Sequence, residues 1–155
     1  MADASIHIVL PAVVGIVIGV IEAYFVYEDE PMAGGKQFLG DMLHGLIFAV
    51  AGVLVASNVP WLLSLGFIPG WVESLLMVDA RGISPVVCGL IAVVMLVKMV
   101  GSHAVKGVSS GGFTEKFWHK LVVALAVGFS PYLIFYLYTT GTFVGLKEAV
   151  PWMPF

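Results

Sequence analysis

The chain has 155 residues, 60% of them hydrophobic and only 11% charged, with a mean hydropathy of +1.04. An ordinary soluble domain carries roughly 25% charged residues, so too little polar surface remains here to cover a globule in water. The net charge of −3 offers no basic stripe for a phosphate backbone, which excludes nucleic-acid binding. The one cysteine, Cys88, lies in an apolar run and can form neither an internal disulfide nor a Cys-x-x-Cys metal site. These counts predict an all-α integral membrane bundle. At about 20 apolar residues per crossing, the length accommodates four transmembrane helices in a single domain over 1–155 and leaves nothing for an extramembrane domain.

The first span is expected over about 6–27, IHIVLPAVVGIVIGVIEAYFVY, stopped by Glu28, Asp29, Glu30 and Pro31. No positive charge precedes it and no small-x-small cleavage site follows, so it reads as a retained helix rather than a signal peptide. The second span covers about 37–58 and ends in Ser57, Asn58 and, shortly after, Pro60. Residues 61–79, WLLSLGFIPGWVESLLMVD, are apolar but interrupted by Gly66, Pro69 and Gly70, too often to cross. With Trp61 and Trp71 favouring the headgroup level, this segment is expected to lie in the interface or to re-enter the membrane covered by protein. The third span, about 85–104, opens on Pro85, whose missing N–H costs little at a helix N-terminus. The fourth covers about 117–138; Ser130-Pro131 should kink it, and Tyr132, Tyr136 and Tyr138 fit an aromatic belt.

Four spans put the N-terminus, the loop after the second span and the C-terminus on one side, with Arg81 and Lys147. Lys36, Lys106, Lys116 and Lys120 fall on the other. Positive loop charge stays in the cytoplasm, so both termini are expected outside a plasma membrane.

An ionisable side chain inside a span costs several kcal/mol unless it is paired, hydrated or snorkelled to the interface. Glu22, His44 and Lys98 each fall about five to seven residues from the inner ends of their spans, roughly 8 to 10 Å deep at about 1.5 Å per residue. Asp41 shares a helix face with His44 at i, i+3, and His103 and His119 lie near the same boundary. Two readings of this layer are open. It is a packing layer, with Glu22 paired to Lys98 and Asp41 to His44, or it is a proton, cation or metal site in which Asp41 and His44 supply oxygen and nitrogen ligands. Glu22, His103 or His119 would complete such a metal site, whereas His7, at the other boundary, reads as an interfacial residue. Gly15-x-x-x-Gly19, Gly52-x-x-x-Ala56 and Ala124-x-x-x-Gly128 place small residues on single faces, where helix backbones approach closely.

No phosphate loop, G-x-S-x-G, H-E-x-x-H, paired Cys-x-x-Cys or voltage-sensor arginine series occurs, which argues against an independent enzyme. The opening IHIVLPAVVGIVIGVIEAYFVYEDE, followed by a His-containing second span ending in Ser57-Asn58-Val59, resembles small four-helix membrane proteins of archaea, ammonia oxidisers among them. The resemblance covers about the first 60 residues and implies a companion to a larger complex such as the copper-dependent ammonia monooxygenase; it carries over no catalytic residue.

The expected function is therefore a non-catalytic accessory subunit of a multi-subunit membrane complex, a monooxygenase or oxidase for example. Its partners would be lipid and other membrane subunits, with a homo-oligomer as a further possibility and no required cofactor. The tail Val150-Pro151-Trp152-Met153-Pro154-Phe155 would dock on a partner or the interface. Two alternatives come from other classes: a small homo-oligomeric ion or proton channel lined by Glu22, Asp41, His44 and Lys98, and a metal-binding membrane subunit using Asp41 and His44.

Overall fold

In the computed structural model the described residues are 6–29, 35–106 and 116–141, and all of their regular structure is helical. The long helices are α1 (Val9–Asp29), α2 (Gly35–Ser57) and α5 (Pro85–Lys106); α3 (Val59–Ser64), α4 (Gly70–Leu75), α6 (Phe117–Gly128) and α7 (Ser130–Thr139) are shorter. The Glu28–Pro31 breaker, the glycines that follow and the terminal tail Val150–Phe155 fall wholly or partly outside the described residues.

The chain runs up and down. Asn58, after α2, bonds to His7, before α1, while Lys116, before α6, bonds to Asp29 at the far end of α1. α1 pairs closely with α2, and α5 with α6. On α1 the buried positions Val14, Gly15, Ile18, Gly19, Glu22 and Val26 recur every three or four residues, the stripe of a helix with one inward face. That stripe meets Ala49 and Val53 of α2, Met95 and Met99 of α5, Val123, Ala124 and Val127 of α6 and Ile134 of α7 in one core.

The small residues set the spacing. A Cβ on Gly15 would lie 2.6 Å from the Cα of Val50, and one on Gly19 2.9 Å from the Cα of Leu46, so α1 and α2 touch backbone to backbone. A Cβ on Gly52 would come 2.5 Å from Val127 of α6, and one on Gly128 would collide with the Cys88 carbonyl of α5. Ala56 and Ala124 are buried. The Gly15, Gly52 and Ala124 motifs thus all pack within this chain.

One start and one break follow from single residues. At the start of α5 the Ser84 hydroxyl accepts the Val87 N–H at 3.1 Å, an N-cap directly ahead of Pro85. Between α6 and α7, Pro131 has no N–H to give the Val127 carbonyl, which instead accepts a backbone N–H at the end of α6 and the Ser130 hydroxyl, the latter at 2.7 Å, and the helix bends by 54°. Ser130→Ala is expected to leave the buried Val127 carbonyl without this donor and to lower stability by about 1 kcal/mol, read as a drop in the thermal midpoint of the detergent-solubilised protein; an unchanged midpoint would remove the hydroxyl from this account.

Residues 61–79 hold most of α3, all of α4 and the turns that follow each, with Phe67, Trp71, Leu75 and Met77 exposed. The segment closes on a turn built by Asp79. Its Oδ1 accepts the N–H groups of Arg81 and Ile83, both at 2.9 Å, and its Oδ2 accepts Arg81 Nε at 2.8 Å. Gly82 holds φ +77° there, in the left-handed region, and Pro60 packs where its Cβ would be. Burial pushes the Asp79 carboxyl up, but the Ile83 and Arg81 hydrogen bonds and the guanidinium outweigh it and hold the group below the usual carboxylate range. A lowered folded value means the turn adds stability above the unfolded carboxyl value and loses it as pH falls through the folded one. Acid titration followed by tryptophan fluorescence should show this loss in the parent and not in Asp79→Asn; identical acid profiles would contradict it.

By length and composition α1 alone among the described helices is long and apolar enough to cross a membrane, and α6 with α7 qualifies as one bent unit. The apolar stretches of α2 and α5, Met42–Ser57 and Pro85–Gly101, are shorter.

Candidate functional site

The polar residues cluster at the end of the bundle where α1 stops and α6 starts. Asp29, the last residue of α1, accepts His119 Nδ1 at 2.5 Å and the Lys116 N–H at 2.9 Å, both on Oδ2. Lys116 Nζ stands 3.2 Å from Oδ1. A carboxylate can only accept, so an ionised Asp29 fixes the proton of His119 on Nδ1. The Phe25 ring lies over the imidazole at 4.1 Å and 4°, and Trp118 meets it edge-on at 3.9 Å. A carboxylate behind an imidazole is the orienting half of a general base or a metal ligand. Here His119 is only 1% exposed, so in this geometry the pair ties α1 to α6.

About two turns deeper along α1, Glu22 is 6% exposed, and Lys120, the residue after His119 on α6, is 5% exposed. The Glu22 carboxyl lies against α2, where a Cβ on Gly45 would come 2.7 Å from it, so the glycine makes room for the acid.

The layer expected from depth along the spans is divided by helix rotation. Glu22 faces inward, whereas His44 is exposed on the outer face of α2, its ring 5.0 Å from Phe48. Lys98 of α5 places Nζ 4.5 Å over the same Phe48 ring, a cation–π contact between α2 and α5. Phe48 thus brings His44 and Lys98 to one place. The side chains of Asp41 and His103, and with them the Asp41 and His44 metal pair, lie outside the described residues. Among the described residues no three His, Cys, Asp or Glu side chains gather as a metal site would require.

At the opposite end Asn58 clamps the entry to α1. Its Oδ1 accepts the His7 N–H at 2.6 Å, and its Nδ2 donates to the His7 carbonyl and the Leu54 carbonyl, both at 2.8 Å. His7 therefore contributes its backbone to the fold. Neither clamp is a recognised motif, because the partners stand 90 and 51 positions apart. The signal available in the sequence was depth: Asp29 and His119, like His7 and Asn58, sit at matching ends of adjacent antiparallel helices. No protein-family model, curated protein or solved structure matches the chain.

Proposed function

We propose that the chain is a four-span membrane protein, with α1, α2, α5 and the bent α6–α7 unit as its spans, and that it serves as a non-catalytic accessory subunit of a larger membrane complex. The observation that carries the membrane reading is an inverted polarity: Val20 is 60% and Val97 65% exposed on the outside of helices whose interior holds Glu22, His119 and Lys120. In water, each such valine would forgo much of the roughly 1.5–3 kcal/mol gained by burying an apolar side chain. Lipid removes that cost and favours the interior polar groups that bond across helices. The 16- and 17-residue apolar stretches of α2 and α5 rise about 24 to 26 Å, and flanking residues and local thinning accommodate such a shortfall.

The accessory role is supported by how the polar groups are used. Asp29 with His119, and Asn58 with the His7 backbone, join one helix to another, as a packing module requires. On this reading the chain requires no cofactor and borders lipid and other subunits. A monooxygenase or oxidase of the kind implied by the archaeal resemblance is the complex to look for. The test is gentle extraction of the native membrane, native-gel separation and mass spectrometry of what migrates with the chain. Fixed-ratio companions support the role; migration as a lone homo-oligomer overturns it.

A further inference from the structure

The bend at Ser130-Pro131 carries α7 to the start of α1 and opens a cleft of about 600 Å³ between the two, closed at one end by the loop at Arg81 and by Ser57. Sites for small ligands span roughly 300–1,000 Å³. The walls are mostly apolar, from Ile8, Leu10, Pro11 and Ile134 among others, and His7, Ser57, Arg81 and Tyr138 add polar groups to the lining. Arg81 stands over two rings of α7, 5.1 Å from the centre of Tyr132 and 5.5 Å from that of Phe135. Asp79 engages only its Nε and Nη2, leaving the Nη1 donors. The buried Ser57 hydroxyl has no hydrogen-bond partner among the described residues. A mostly apolar trough that carries donors without a protein partner among the described residues calls for an amphiphile whose head accepts hydrogen bonds.

We propose that this cleft holds one zwitterionic phospholipid from the surrounding leaflet, its phosphate on Arg81 Nη1 and one acyl chain in the trough beside Ile8 and Ile134. The inference rests on the membrane reading above. Charge decides the headgroup. Two carboxylates, Glu73 and Asp79, stand against the one guanidinium on the described segment between α3 and α5, so a net anion is disfavoured, and a phosphate bearing its own ammonium is matched by the adjacent Arg81–Asp79 pair. The aromatic rings under Arg81 set this pair at headgroup level.

The full chain, purified in mild detergent and loaded with phosphatidylethanolamine or phosphatidylglycerol, is examined by native mass spectrometry. The expected result is one retained phosphatidylethanolamine per chain, not displaced by soluble glycerophosphoethanolamine and retained at least tenfold less in Arg81→Gln. Ile8→Trp, which narrows the trough and leaves the Asp79 turn intact, should lose it to the same degree. Retention at the parent level by either folded variant, or equal retention of phosphatidylglycerol, overturns the site. A chain that stays soluble without detergent and binds no lipid overturns the membrane reading itself, whereas a detergent-dependent chain with bulk lipid but no singly held molecule overturns the cleft alone.

Discussion

Replacing Gly15 by valine is expected to separate α1 from α2 and to lower stability by about 3 kcal/mol or more, at the upper end of overpacking effects. The added Cβ meets the Cα of Val50 at 2.6 Å, and the Val50 side chain and N lie at 3.2 Å. A flexible side chain could swing away; a helix backbone cannot move without carrying its neighbours, because α2 also touches α6 through Gly52. Gly15→Ala should already be destabilising, although alanine is the better helix former by roughly 1 kcal/mol. Gly89→Ala is the control: it is helical with open space around its Cβ, so propensity alone acts and stability should hold or rise. Unfolding in mixed detergent micelles measures all three, and a Gly15→Ala variant as stable as the parent would mean that α1 and α2 do not meet as described.

The second large effect concerns Asp29 and His119, whose side chains are each 2% exposed. His119→Leu leaves a buried carboxylate with only the Lys116 contacts, and Asp29→Leu leaves a buried imidazole without its acceptor. Each should cost about 2–3 kcal/mol, the desolvation penalty of an orphaned polar group. The double variant, with leucine at both positions, should recover part of that loss, because apolar replacement of both members of a buried pair is often tolerated. A coupling of about 1–3 kcal/mol in the resulting cycle is the expected outcome. Purely additive losses would show that the two groups act separately.

These two sites differ in how far the sequence announced them. Gly15 and Gly19 stand four apart in an apolar run, and local spacing suffices to predict a close-packing face. The helix positions were readable for the same reason, from the apolar runs and from breakers such as Pro85 and Ser130-Pro131, as was the all-helical class. The Asp29–His119 clamp was not, since Asp29 reads locally as part of the acidic cluster that ends a helix, and its role depends on which helix lies beside it. Rotation about the helix axis was equally hidden. Glu22, His44 and Lys98 share a depth, but depth does not say which way a side chain points, and the structure turns Glu22 inward and His44 outward. The Asn58 clamp depends on a pairing of helix ends that no local pattern encodes.

Nitroxide spin labels in reconstituted bilayers test the inverted bundle most directly. With the buried Cys88 first replaced by alanine, single cysteines at Val20 and Val97, which point outward, and at Val53 and Val127, which are buried in the core, are labelled and probed with oxygen and with a water-soluble nickel complex. The expected pattern is high oxygen and low nickel accessibility at Val20 and Val97, with low accessibility to both at Val53 and Val127. Nickel reaching Val20 and Val97 as freely as an exposed loop would place those faces in water and contradict the membrane bundle.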